Sequence, residues 1–393
     1  MNMNNKNWVS VWGNAVSIAE HHPEAYAKYI TLRYPVYIPF DGDTLRFTFD
    51  NFCGSEAVTV TRATVSAATS PVYEKMPLAC PCKKETICDI TFSKNESVTM
   101  EAHQTAVSDP VSFPVKKGMT LTVSLYFADF TLMQSAVLVT GPLSKGFFSL
   151  GDQTHADTLP MDTTKTTNWF YFLSNIELMT AEENHTVICY GDSITAGAWP
   201  DYLTLLARQN PDNHTAFIRR ATSGSRVLRQ YECITYDSYG LKGTNRFPHE
   251  IPTTGADTVI IQQGINDIIH PVGIETNPFR PMSDLPTVKE LIDGYRYYIE
   301  EAKKLHLKVY MGTLLPIFGW RTYATFRDDL RNELNAWIRS AKEIDGCIDF
   351  DLALRGSENP SAFREGFDSG DHLHPSSKAY KAMAECAYEV LRK

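Results

Sequence analysis

A serine, a histidine and an aspartate on separate loops can perform acyl transfer, and Ser193, His374 and Asp371 occur in settings that suit it. Ser193 stands where the apolar run Thr186-Val-Ile-Cys-Tyr190 breaks into Gly191-Asp192-Ser193, which would put its hydroxyl on a sharp strand-to-helix turn. Asp371-His-Leu-His374 lies nearly two hundred residues further on, just before a closing helical pattern. An imidazole oriented by a carboxylate can take the proton of a serine hydroxyl as it attacks a carbonyl. With Asp371 and His374 three positions apart on one tight turn, the carboxylate reaches the rear ring nitrogen while the front one faces the serine. Taken alone, the Gly-Asp-Ser turn is equally a helix start with Asp192 or Ser193 as N-cap.

Such residues need a framework that gathers distant loops. Thr222-Ser-Gly224-Ser-Arg226 follows a second expected strand at Thr215-Ala-Phe-Ile-Arg219, and Gln263-Gly264-Ile-Asn266-Asp267 follows a third at Asp257-Thr-Val-Ile-Ile-Gln262. In an open parallel sheet, loops at the carboxyl ends of the strands line one crevice. Beyond them, Val288, Leu291, Ile292, Tyr295, Ile299 and Ala302 follow helical spacing, and Leu307-Lys-Val-Tyr-Met311 predicts a strand. Residues 324–342 predict a helix, Cys347-Ile-Asp-Phe350 a short strand and residues 376–391 a last helix. This alternation predicts an α/β fold, a parallel sheet with helices on both faces, over residues 184–393.

In these segments the chain resembles the SGNH (GDSL-type) hydrolases, whose four blocks supply Ser, Gly, Asn and His. Ser193, Gly224, Asn266 and His374 occur in that order, and Asp371-x-x-His374 matches the last block. Gly312-Thr-Leu-Leu-Pro316, Asn335-Ala-Trp-Ile-Arg339, Asp349-Phe-Asp351-Leu-Ala-Leu-Arg355 and Gly370-Asp-His-Leu-His-Pro375 are similar to one bacterial branch. The resemblance implies a flavodoxin-like three-layer αβα domain, with Ser193 as nucleophile, His374 as base and Asp371 as its orienter. It also implies an oxyanion hole from the backbone N–H groups of Ser193 and Gly224 and the side-chain amide of Asn266. Glycine at 224 allows close backbone approach, and Asn266 is a donor that does not titrate. Asp192 and Asp267 are expected to be structural hydrogen-bonders, and His372 to face solvent.

Before residue 184 the pattern is different. Leu45-Arg-Phe-Thr-Phe49, Ala57-Val-Thr-Val-Thr61, Leu121-Thr-Val-Ser-Leu-Tyr126 and Ala136-Val-Leu-Val-Thr140 are short β-type runs with turn residues between them. They predict an all-β sandwich or jelly-roll accessory domain over 1–183. Similar β-rich regions precede the hydrolase in the resembling branch, with a looser match at Leu32-Arg-Tyr34, Asn51-Phe-Cys-Gly54 and Val107-Ser-Asp-Pro110. This domain is expected to be a scaffold, with independent sugar binding as the sharper alternative.

The 393 residues, 43% hydrophobic and 21% charged, are those of a globular chain with room for two cores. A net charge of −9 disfavours nucleic acid as a partner and is easier to reconcile with a neutral substrate, expected to be a small-molecule or oligosaccharide ester. No apolar stretch has the length of a membrane span or a secretory leader, so a cytoplasmic location and no membrane association are expected. The sequons at Asn95, Asn184 and Asn213 are then accidental. Cys80-Pro-Cys82, with Cys88 and His103, lacks the usual zinc spacing, so reduced thiols and no metal are expected. The mechanism requires no cofactor.

Trp199, Tyr231, Tyr236 and Phe318-Gly-Trp320 follow the site loops and are candidates for lining the mouth of the crevice, where aromatic faces stack on sugars or clasp acyl chains. Packing of the loops is the plainer role for such residues. Ala196 and Ala198 leave space for a compact acyl group. Similarity to carbohydrate O-deacetylases implies a short-chain, acetylesterase-like enzyme acting on oligosaccharides such as xylo-oligosaccharides. A lipid-directed esterase or lysophospholipase is the alternative enzyme, and a carbohydrate-binding protein with a relic hydrolase domain the non-enzyme alternative.

Overall fold

A computed structural model describes residues 6–19 and 25–392. Residues 1–5, part of the stretch in which no leader was expected, lie outside the described residues. The chain divides into two compact units, one of residues up to Thr186 with Pro211–Ile218, the other of Val187–Asn210 and Arg219 onward.

The first unit is built on two larger antiparallel sheets, with smaller antiparallel ones beside them. One orders Lys6–Gly13, Leu173–Ala181, Gly42–Asp50 and Thr105–Val107, with Val111–Val115 also on the 42–50 strand. The other orders Lys165–Thr167, Gly146–Leu150, Ile30–Tyr37, Thr120–Phe127, Arg62–Ala67 and Cys88–Ile90. In the 42–50 strand, buried Leu45, Phe47 and Phe49 alternate with Thr44, Arg46 and Thr48, the two-residue period of a half-buried sheet. The expected runs at 45–49 and 121–126 fall on strands, the 136–140 run is a strand only as far as Leu138, and the 57–61 run contains Val58–Val60.

Ile30–Tyr37 escapes that pattern because it carries Pro35 and is buried almost throughout. Its pairing with 146–150 covers only Ile30 to Arg33, so at Pro35 that flank has no ladder bond to lose. Arg33 is 1% exposed and donates to Ser124 Oγ at 2.9 Å and to the carbonyls of Cys80, Gln153 and Ala156 at 3.2, 2.7 and 2.8 Å. A buried guanidinium in this sheet is tolerated because four acceptors satisfy it.

A further sheet has five strands: β1 (His185–Gly191), β2 (Thr215–Ala221), β3 (Ala256–Gln262), β4 (Lys308–Gly312) and β5 (Gly346–Ile348). Their order across the sheet is β2-β1-β3-β4-β5, with β3, β4 and β5 in parallel register. That is the flavodoxin-like order, whose topological switch point lies between β1 and β3. Loops leaving β1 and β3 therefore diverge to opposite faces and open a crevice between them.

The helices are α1 (Ser193–Ala196), α2 (Trp199–Ala207), α3 (Gly243–Glu250), α4 (Ile265–Ile269), α5 (Val288–Lys304), α6 (Thr325–Ser340), α7 (Phe350–Leu354) and α8 (Ser377–Leu391). α2, α7 and α8 pack together on one face, and α3, α5 and α6 on the other. α5 starts at a capping box of Thr287 and Glu290 and buries Leu291, Tyr295, Tyr298, Ile299 and Ala302 at helical spacing. The expected strand at 347–350 is shorter, because Asp349 turns the chain into α7 by accepting from the backbone N–H of Leu352. Among the described residues no helix is long and apolar enough to cross a membrane.

Candidate active site

β1 ends at Gly191, where any side chain would collide. An added Cβ would lie 2.3 Å from the Gln262 carbonyl oxygen and 2.4 Å from Thr195 Oγ1, so only glycine lets the ends of β1 and β3 come this close. The chain then turns into α1, with Asp192 Oδ1 capping the Ile194 N–H at 3.0 Å. Ser193 is the first residue of that turn, and its own N–H has no acceptor among the described residues.

His374 Nε2 lies 2.9 Å from Ser193 Oγ, and His374 Nδ1 lies 2.6 Å from Asp371 Oδ2. Asp371 Oδ1 accepts from the backbone N–H groups of Leu373 and His374 at 3.0 and 2.8 Å and from Ser369 Oγ at 3.1 Å. Partial burial works against the Asp371 charge, but the His374 ring and these N–H donors outweigh it and lower the carboxyl to about 2. An ionised Asp371 only accepts hydrogen bonds, so Nδ1 carries the ring proton and Nε2 turns its lone pair to the serine.

The loop holding this pair is self-bonded. Asp368 accepts from the N–H groups of Gly370 and His372, Ser369 N–H donates to the His374 carbonyl, and Ser376 caps α8 directly after Pro375. His372 is exposed and pairs with Asp368 through Nδ1 at 2.5 Å, away from the serine.

Gly224 has φ +77°, and a Cβ there would lie 2.2 Å from Tyr239 Cδ1. Its N–H has no acceptor among the described residues. Asn266 Nδ2 donates one hydrogen to the Ser225 carbonyl at 3.1 Å and keeps a second. Asp267 accepts from Val227 and Leu228 N–H at 2.8 and 3.0 Å, so the two neighbours pin the β2 loop from opposite ends. The structure thus joins Ser193, His374 and Asp371 in one chain of hydrogen bonds, and ties the Gly224 loop to Asn266.

Several supporting residues carried no signal in the sequence. Arg246, 2% exposed on α3, donates to the carbonyls of Gly191 and Arg220, to Thr222 Oγ1 and to Glu250 Oε2. It clamps the floors of the β1 and β2 loops, whereas an Arg and Glu four apart on a helix ordinarily form an exposed pair. Tyr298 OH donates to Gln263 Oε1, whose amide donates to Ser225 Oγ.

Trp199, expected at the crevice mouth, is instead wholly buried, with Nε1 donating to Thr195 Oγ1 at 3.3 Å and the ring against Phe350. It faces inward with Leu203 and Ala207 along α2, a spacing of four that marks a core stripe. Tyr231 is also buried, but within a cluster that contains Tyr239 and so adjoins Gly224. Trp320 is half-buried, with Arg321 over its ring. Among the described residues no group of three or more His, Cys, Asp or Glu is placed to hold a metal, and all eight cysteines are free thiols.

Asp192 is wholly buried, and its Oδ2 has no hydrogen-bond partner. Burial raises its pKa to about 7, against the pull of the Ile194 N–H and of Arg246. Between the usual carboxyl value of 3.8 and about 7, the folded protein binds a proton that the unfolded chain does not, so this group costs stability as pH rises across that window. Asp192→Asn, which keeps the capping oxygen, is expected to gain in melting temperature relative to the parent from about pH 4 to about pH 7 and to hold level above it. A pH-independent difference in parallel thermal melts would contradict this.

Residues 189–382 match the GDSL-like lipase/acylhydrolase family. No curated protein matches the chain significantly. Among solved structures, a GDSL-like lipase from Bacteroides thetaiotaomicron is 20% identical, with 54% of this chain and 89% of that one covered at a TM-score of 0.40. A variant of Axe2, an acetyl xylan esterase from Geobacillus stearothermophilus, is 18% identical, with 53% and 95% covered at a TM-score of 0.40.

Proposed function

Residues 189–382 make the C-terminal half of this chain a member of the GDSL-like lipase/acylhydrolase family, and on that premise we propose that the protein is a serine esterase that removes short acyl groups, acetyl foremost, from oligosaccharides such as xylo-oligosaccharides. The observation that carries the reading is the chain of contacts from Ser193 Oγ to His374 Nε2 at 2.9 Å and from His374 Nδ1 to Asp371 at 2.6 Å. Ser193 attacks the ester carbonyl as its proton passes to His374, and the imidazolium formed is stabilised by Asp371. The oxyanion receives the N–H groups of Ser193 and Gly224 and the second amide hydrogen of Asn266, donors of a kind worth about 3 to 4 kcal/mol each. His374 then protonates the departing alcohol, and water attacks the acyl-serine by the reverse proton path.

Small residues directly after the nucleophile suit a short acyl group. Ala196 and Ala198 are buried, and a Cβ on Gly197 would already lie 2.2 Å from Tyr380 OH. An acyl series from acetyl to decanoyl as 4-nitrophenyl esters, run beside acetylated xylo-oligosaccharides with acetate release measured, tests the assignment. Turnover should fall as the chain lengthens, with acetate freed from the oligosaccharides. Rates that climb toward decanoyl, with no acetate released, would assign the site to lipids instead.

A further inference from the structure

Beside Gly224 lies a group of side chains that the hydrolytic steps do not use. Tyr231, Tyr236 and Tyr239 pack against one another with ring centroids 4.8 to 5.7 Å apart, and His270, at the end of α4, stacks on Tyr239 at 5.2 Å. The Arg226 guanidinium lies 4.3 Å from the centre of the Tyr231 ring, and that of Arg280 lies 4.5 Å from Tyr236 and 6.0 Å from Tyr231. Tyr239 is also the ring that meets Gly224, which ties this cluster to the oxyanion loop.

Positive charge gathers here, with Arg280, Arg226 and Arg321 all acting on His270. Asp284 pairs with Arg226 at 3.1 Å and with Arg229 at 3.9 Å, so one carboxylate serves two guanidiniums. Arg280 is only 8% exposed, yet among the described residues its guanidinium has neither a carboxylate nor a hydrogen-bond acceptor. The exposed Arg321 adds positive charge nearby, since the neighbouring Thr322 donates to the Ile269 carbonyl next to His270. Tyr231 OH, Arg226 Nε and His270 Nδ1 are buried as well, without partners among the described residues. A buried donor with no acceptor costs about 1 to 3 kcal/mol, and several within one cluster point to a ligand that accepts from them. Burial first, and the positive charges of Arg280, Arg226 and Arg321 after it, hold His270 neutral.

We propose that Arg280, with the Tyr231 hydroxyl and Arg226 beside it, forms a subsite for a carboxylate carried by the ester substrate. Guanidinium groups recognise carboxylates through paired N–H donors, and the flanking tyrosine faces suit a sugar ring bearing the acid. The net charge of −9 is no obstacle, because beyond about 8 Å exposed charges are screened and the local arginines dominate. This assignment rests on the esterase reading and adds to it the class of ester that is preferred.

Two matched pairs separate the sources of the carboxylate. Mono-O-acetylated galacturonic acid against mono-O-acetylated galactose places it on the alcohol, and 4-nitrophenyl hemisuccinate against 4-nitrophenyl butyrate places it on the acyl chain. In one pair the acid should exceed its neutral counterpart in kcat/KM by about tenfold or more. Arg280→Gln should bring that ratio to within about twofold of one, and Arg280→Lys should retain part of it. Neutral esters preferred in both pairs by the parent protein would overturn the subsite whether or not the Gln variant folds, as would a ratio that survives in a folded Arg280→Gln. If no ester is turned over, the esterase reading falls alone. Calorimetric binding of galacturonate over galactose then still supports the subsite, and equal or absent binding overturns it.

Discussion

Ser193→Ala is expected to lower kcat/KM for 4-nitrophenyl acetate by about 10⁴- to 10⁶-fold while leaving thermal unfolding nearly unchanged. Among the described residues the Ser193 hydroxyl is the group placed to attack, since His374 Nε2 contacts Ser193 Oγ and the nearby Cys189 thiol is wholly buried, its ionisation pushed far up by that burial. What remains in the variant is the rate that polarisation of the carbonyl gives to water. Because Ser193 is half-exposed and its removal leaves Asp371 to hold the His374 ring, folding loses at most one hydrogen bond, about 1 kcal/mol. Steady-state rates and melting curves on the same preparations check both halves. Turnover near the parental rate in a folded variant would sink the proposed mechanism.

The second large effect is expected at Asp371. An asparagine there can keep its oxygen toward the N–H groups of Leu373 and His374, but it turns an NH₂ toward His374 Nδ1 in place of an acceptor. The ring then carries its hydrogen on Nε2 and cannot receive the serine proton, so kcat should fall by about 10⁴-fold with little change in KM. With the Asp371 carboxyl at about 2, it stays ionised throughout the range in which such enzymes are assayed, and any acid loss of activity above about pH 4 originates elsewhere. A merely structural Asp371 would instead show lowered stability with kcat intact.

The residues legible in the sequence are those whose chemistry is local. Ser193, Gly224 and Asn266 each sit in a polar break right after a periodic segment, whereas His374 stands just before one, where the Asp371 to His374 spacing alone brings carboxylate and ring together. Trp199 was misleading because its nearness to Ser193 suggested the crevice, whereas its register with Leu203 and Ala207 places it in the core. Arg280 could not be read at all: its significance lies in an absence of acceptors, which depends on how residues 226–239 and 270–284 pack together. Likewise Pro35 hides a central strand, because only the pairing register shows that its missing N–H is harmless.

Ser193 and His374 are separated by 181 residues of chain, and the base sits just before α8, which closes the second unit. A ribosome that has translated as far as α7 has therefore released a serine without its imidazole. On the proposed mechanism the nascent polypeptide stays inert toward esters until residues 371–374 emerge and dock beside Ser193, so turnover reports assembly of this half more stringently than the content of regular secondary structure does.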